Sequence, residues 1–240
     1  MFERTKSYLK KLGPGWITGA SDDDPSGIGT YTYAGSRFGL APLWTMLFSL
    51  PLMSAVQEMC ARIAQVTGRG LSANMKKHMP RSALGTIVLL LVFANTINIA
   101  ANIGAMAAAT QLLAPLPFFF LVILFTLVTL VLEIFVSYKL YSRYLKFLTV
   151  SLLSYVVVAL LVTTDWPAVF RALVLPTFSF SKDFFFILVA IFGTTISPYL
   201  FFWQASTEVE EEVAKGRWTV LQRKGATKEE IADMRVDVIS

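Results

Sequence analysis

The chain has 240 residues, 55% of them hydrophobic and 15% charged, with a formal net charge of +5 and a mean hydropathy of +0.60. That balance excludes an ordinary soluble domain, because several long apolar runs remain once the charges are removed. The lysines and arginines sit beside those runs rather than along one polar face, so they read as topology signals and give no argument for nucleic acid as a partner. The single cysteine, Cys60, lies in an apolar context, where packing is its default role.

Residues 1–12 carry Arg4, Lys6, Lys10 and Lys11, which places the N-terminus on the cytoplasmic side. The first span, 16–38, is interrupted at its centre by Asp22-Asp23-Asp24-Pro25-Ser26-Gly27. Charged side chains at bilayer depth cost at least ~2.5 kcal/mol each and persist where they face a cavity, a partner or an ion. Proline removes a backbone donor and glycine loosens the chain, so a helix entering this stretch breaks near Asp24-Pro25. The helix end before the break points its negative dipole at the carboxylates, a conflict that a cation relieves. The plainer alternative is a kinked helix in which Asp22 and Asp23 only cap the second half.

The second span, 43–66, contains Pro51 and carries Glu58 and Arg62 at i,i+4, a spacing that pairs them on one helix face. A basic loop, 67–82, holds Arg69, Lys76, Lys77, Arg81 and the only histidine, His78, which has no metal-ligand companions nearby. In the third span, 83–113, Asn95, Asn98 and Asn102 form one polar, uncharged stripe, suited to interhelical hydrogen bonds or to lining a polar path. The fourth span is 118–138, with Glu133 placed to pair with Lys139 or Arg143 at the inner interface. The fifth is 147–164, followed by a charge-balanced outer connection, 165–183.

The sixth span, 184–206, is interrupted by Gly193-Thr194-Thr195-Ile196-Ser197-Pro198-Tyr199, and Pro198 frees the carbonyl of Thr194. Interrupted helices at corresponding places in two repeats are the sequence mark of a transporter's midplane binding site. Residues 207–240 read as a cytoplasmic amphipathic segment. It has a capping box at Thr227-Lys228-Glu229-Glu230, and apolar residues return at its end as the approach to a seventh span that is absent.

In order, the basic N-terminus, Gly13-Pro14-Gly15, Asp24-Pro25-Ser26-Gly27, Ala34-Gly35-Ser36-Arg37-Phe38-Gly39 and the 193–199 run resemble the Nramp family of divalent-metal transporters. The resemblance covers nearly the whole chain. It implies an all-α membrane protein with the LeuT-like inverted-repeat fold, present here as the first repeat plus the first helix of the second, with helices one and six broken. The remaining transporter helices are then missing from this chain. The family binds its metal between the two breaks, and its aspartate is here Asp24. Its asparagine falls on Gly27, its methionine on Ser197, its ligating alanine on Thr194 and its histidine on Tyr199. Its acidic pair in the third helix falls on Asn98 and Ala101.

The site implied by the resemblance is therefore Asp24, Ser26, Gly27, Asp23, Thr194 and Ser197 for the metal, with Asp22, Asn98, Asn102 and Tyr199 lining the cavity. Only hard oxygen donors remain, and these suit Mg²⁺. On that ground the chain is similar to the Nramp-related magnesium transporters, a branch lacking the methionine and uncoupled from protons. The expected function is alternating-access transport of a divalent cation, Mg²⁺ first. The alternative is a proton-coupled Mn²⁺ or Fe²⁺ symporter of the same fold, using Asp22, Asp23 or Glu58. A half-length fragment inactive in transport is a further alternative, and an enzyme holding Mg²⁺ on a diphosphate is the weakest, because a second acidic cluster is missing. No permanently bound cofactor is expected. The ion is substrate, the partner is the lipid bilayer, and the resemblance implies a multipass protein of a bacterial plasma membrane.

Overall fold

The computed structural model describes residues 13–21, 24–136, 140, 144–145, 148–162 and 164–239. The basic N-terminal segment, Asp22, Asp23 and the expected partners of Glu133 lie outside the described residues. No strand occurs among those that are described.

The first span is two helices, α1 (Pro14–Ser21) and α2 (Pro25–Phe38), separated where the acidic run meets Pro25. Proline at the first position of α2 loses no bond there, since that N–H is orphaned in any helix. Helix α3 (Trp44–Thr67) ends at Gly68, whose φ of +65° is open to glycine at little cost. The expected basic loop contains a short helix, α4 (Leu71–His78). Asn74 anchors it by donating to Thr67 Oγ1 and to the carbonyls of Arg69 and Gly70. Helices α5 (Arg81–Gln111) and α6 (Phe118–Phe135) follow.

The expected fifth span, 147–164, is described at residues 148–162 and 164. Among the described residues it is a 3₁₀ turn, Thr149–Leu152, leading into α7 (Leu153–Leu161). The outer connection then forms α8 (Trp166–Val174), capped by Asp165, which accepts from Ala168 N at 3.2 Å. The sixth span is again divided, into α9 (Lys182–Thr195) and α10 (Pro198–Ala214). After a short turn of helix, α11 (Val220–Arg223), the segment read as the approach to a further span is α12 (Lys228–Ile239), which folds back onto α1 and α3.

Among the described residues, three helical stretches are long and apolar enough to cross a membrane: Arg81–Gln111, Phe118–Phe135 and Lys182–Ala214. Helix α3 has the length, but Gln57, Glu58, Arg62 and Gln65 dilute it. Large apolar side chains on α5 and α6, such as Leu89, Phe93, Phe119 and Ile134, stay exposed, as they do on helices whose surroundings are as apolar as themselves.

Two small cores fix the broken helices. Ala34 on α2 packs with Phe184, Ile187, Leu188 and Ile191 on α9, with Phe38 edge-on to Phe184 at 5.2 Å. At the other end, fully buried Ala61 of α3 receives Met234 and Val238 of α12. The two breaks are thereby brought side by side.

Candidate metal site

At the first break Asp24 is the N-cap of α2, with extended backbone and a buried side chain. Its two oxygens do different things. Oδ1 accepts from Ser26 N at 2.9 Å, Ser26 Oγ at 2.6 Å and Gly27 N at 3.0 Å, which satisfies orphan donors of the first turn. Oδ2 turns away from its own helix, accepting from Asn98 Nδ2 of α5 at 2.8 Å and from the Tyr199 hydroxyl of α10 at 3.3 Å. The capping role and the outward-facing role thus belong to one side chain.

The second break closes on itself. Ser197 is the N-cap of α10, yet its hydroxyl reaches backwards, donating to the carbonyl of Thr194 at 2.6 Å and of Gly193 at 3.2 Å. The acceptor freed by Pro198 is thereby occupied. Across the gap, Ser26 Oγ and Thr194 Oγ1 lie 3.4 Å apart, so the breaks meet through two hydroxyls. Tyr31 of α2 adds a second link, its hydroxyl 2.7 Å from Thr195 Oγ1.

Of the residues singled out from sequence, the fold gathers Asp24, Ser26, Gly27, Thr194, Ser197, Asn98 and Tyr199 around this gap. Asn102 also faces the Asp24 carboxylate, and its Oδ1 is buried with no partner among the described residues. Asp22 and Asp23 lie outside the described residues. Gly27 presents an N–H to Asp24, so its amide serves the cap. Among the described residues no group of three or more His, Cys, Asp or Glu side chains assembles, and Asp24 is the carboxylate they bring to this gap.

A family profile described as "Natural resistance-associated macrophage protein-like" (Nramp) matches residues 15–240, nearly the whole chain. The chain belongs to the Nramp family. Among curated Nramp relatives, it is 28% identical to "Divalent metal cation transporter MntH" of Brucella suis over 203 residues, 82% of this chain and 44% of that protein. It is 24% identical over 234 residues to the protein of the same name from Agrobacterium fabrum, 95% of this chain and 49% of that one. It is 32% identical over 104 residues to "Manganese transporter SMF2" of Saccharomyces cerevisiae, 43% of this chain and 18% of that one. The chain therefore spans about half the length of the MntH relatives it matches. Family membership and the long apolar helices make it an integral membrane protein. Of these names, that of SMF2 specifies manganese and none specifies magnesium.

One polar assembly was not read from the sequence. Thr18 of α1, Gln57 of α3 and Gln204 of α10 are all buried. Thr18 Oγ1 donates to Gln204 Oε1, while Gln57 Nε2 donates to Thr18 Oγ1 at 2.7 Å and to Gln204 Oε1 at 3.2 Å. Below it, buried Glu208 accepts from Gln65 Nε2 at 3.0 Å and Gln204 Nε2 at 2.8 Å. The available signal was Gln57 and Gln65 two turns apart on one helix, opposite Gln204 and Glu208 one turn apart on another. Glu58, by contrast, takes both Arg62 at 2.6 Å and Arg235 at 2.9 Å on the protein surface, a structural role.

Proposed function

We propose that this chain forms the ion-gripping part of a divalent metal cation carrier, with Mn²⁺ as its ion and Asp24 as the principal ligand. The observation that carries the reading is the division of labour at Asp24. One oxygen is committed to the helix cap, and the other is directed between α5 and α10 towards two donors that can yield to a cation. The contact to Tyr199, at 3.3 Å, is the longer of those two and the first to give way. Carboxylate, carbonyl, hydroxyl and water oxygens suit Mn²⁺ as well as Mg²⁺, so the donor set agrees with the names of the relatives.

Carbonyl and hydroxyl groups of Thr194 and Ser197, and the hydroxyl of Ser26, complete the shell directly or through water. Asn98, Asn102 and Tyr199 line the cavity. The lipid bilayer surrounds the chain, its N-terminal face is cytoplasmic, and the LeuT-like alternation of access moves the half-helices around the ion.

A second reading, uncoupled Mg²⁺ carriage, draws on two features. Asn98 and Ala101 cannot titrate, and Ser197 supplies no thioether. Equilibrium dialysis of radioactive manganese against the purified chain tests the primary reading without requiring flux. Saturable binding that Asp24→Asn removes supports it, and equal binding by wild type and Asp24→Asn overturns it. Competition separates the two readings, since displacement by Mg²⁺ at concentrations comparable to Mn²⁺ selects the second. In proteoliposomes, acidification of the lumen during uptake assigns proton coupling.

A further inference from the structure

The segment that joins α3 to α5 carries charge of one sign only. The sequence has no Asp or Glu between Glu58 and Glu133, while Arg69, Lys76, Lys77 and Arg81 fall within residues 69–81. All four are exposed, and none makes an ion pair among the described residues. Other arginines are committed. Arg62 and Arg235 share Glu58, Arg217 bridges Glu212 and Glu230, and Arg223 donates to the carbonyls of Gly68, Arg217 and Trp218. Cations that only marked topology would need no binding surface beside them, yet α4 makes one. Its Leu71, Met75 and His78 recur at i, i+4 and i+7, and with Met79 and with Ile63 and Thr67 of α3 they line an open groove of about 390 Å³. Asn74 ties α4 to Thr67, so the fold itself holds the two walls together. Helix α5, long and apolar enough to cross a membrane, begins at Arg81, which puts the groove where that helix enters the bilayer.

We propose that this groove binds one anionic phospholipid, an acyl chain lying between α3 and α4 and the headgroup phosphate meeting Lys77 and Arg81. Charge complementarity chooses the occupant. The cations lack a counter-charge from the chain, and the wall beside them is largely apolar, so the fitting ligand is anionic at one end and hydrocarbon at the other. A free phosphate would leave the groove unfilled. Arginine offers a phosphate two parallel donors and lysine a point charge, and basic pockets beside membrane helices take lipid headgroups in this way. Helix α4 also packs on α10, so the bound lipid braces the second half of the divided sixth span. The surface is separate from the ion site, and its occupancy needs no ion.

The test is native mass spectrometry of the full chain released from detergent micelles that hold equal amounts of phosphatidylglycerol and phosphatidylcholine, with no metal added. Single phosphatidylglycerol adducts should outnumber phosphatidylcholine adducts about tenfold or more, the effect of two cations at an anionic headgroup. Lys77→Gln/Arg81→Gln should remove that preference. Ile63→Trp, which fills the groove at a residue 41% exposed and alters no charge, should cut adducts of both lipids about tenfold. Met79→Gln, which keeps the size and makes the wall polar, repeats this arm should tryptophan not be accommodated. Lys224→Gln/Lys228→Gln removes two exposed lysines remote from the groove in sequence and should change nothing. An equal loss in that control overturns the proposal, because bulk charge then explains the preference. Full retention of adducts in both groove variants also overturns it, since no chain then lies between α3 and α4. Glycerol phosphate that displaces the lipid would mark a free-anion site instead. Dimers that Ile63→Trp abolishes would assign the groove to a second copy of the chain, and either result rejects the lipid.

Discussion

The two helix breaks differ in what their capping side chains leave over. Both are made by proline at the start of a new helix, at Pro25 and at Pro198, and both bring an oxygen-bearing residue to the N-cap. Ser197 has one oxygen, which donates back to the carbonyls of its own break. Asp24 has two, and after Oδ1 has satisfied the helix, Oδ2 still carries charge towards α5 and α10. A break alone thus makes a kink. A break capped by a carboxylate makes a kink with a remaining acceptor, and that is what a cation needs.

The comparison breaks most sharply at Asp24. Asparagine is as good an N-cap as aspartate, so Asp24→Asn keeps the helix start while removing the charge. Mn²⁺ affinity measured by dialysis should fall at least about 100-fold, since a hard dication is held chiefly by anionic oxygen, while the melting temperature stays close to wild type. Ser197→Ala is the mirror experiment. It frees the Thr194 carbonyl without removing charge, and binding should change by about threefold or less. Equal losses in the two variants would erase the distinction between the breaks.

The next largest effect concerns what holds α1 beside the first break. Thr18→Val removes the hydroxyl shared by Gln57 and Gln204 and leaves buried amide groups short of a partner, a cost of about 1–3 kcal/mol. Thermal unfolding in detergent should register it as a clear drop, and an unchanged melting point would mean that water replaces the hydroxyl. A smaller effect is expected at the second break. Ser197→Met puts a thioether where a hydroxyl stands, and the ratio of Cd²⁺ to Mn²⁺ affinity should rise about tenfold by competition dialysis. An unchanged ratio would show that position 197 does not face the ion.

How much of this was legible in the sequence follows from the range of each interaction. The breaks could be read because proline and charge act locally: Asp24-Pro25 and Ser197-Pro198 each break a helix whatever surrounds them. The capping box at Thr227 and Glu230 and the Glu58–Arg62 pair were legible for the same reason, lying three and four residues apart. The grip of Asp237 on Gly13, Gly15 and Trp16 spans more than 220 residues, and nothing local marks either end as its partner. Within α12, Val236-Asp237-Val238 looked like an apolar run resuming, whereas Met234 and Val238 are buried against Ala61 and Asp237 faces α1. The α8 helix was missed because its start depends on Asp165 capping a segment otherwise read only for its charge balance.

A further capping carboxylate sharpens the comparison with the smallest effect. Glu230 accepts from Thr227 N at 2.7 Å and from Arg217 Nη2 at 2.7 Å, so unlike Asp24 it is satisfied by its own box and by a cation the chain itself supplies. These contacts hold its carboxyl down to about 2, from an ordinary value of 4.5. A depressed carboxylate stabilises the fold above its ordinary value, and that contribution is lost as protons reach it in the folded state. The docking of α12 should therefore be insensitive to pH above about 4.5 and weaken as pH falls from there towards about 2. Glu230 and Arg217 remain 27% and 35% exposed in their side chains, and solvent screening keeps the effect below about 1 kcal/mol. Hydrogen exchange of the α12 amides at pH 5 and pH 3 measures it, and Glu230→Gln should exchange faster at pH 5 and lose most of the difference between the two. If Glu230→Gln kept the wild-type acid response, the proton would be landing elsewhere and Glu230 would not carry the pH dependence of α12 docking.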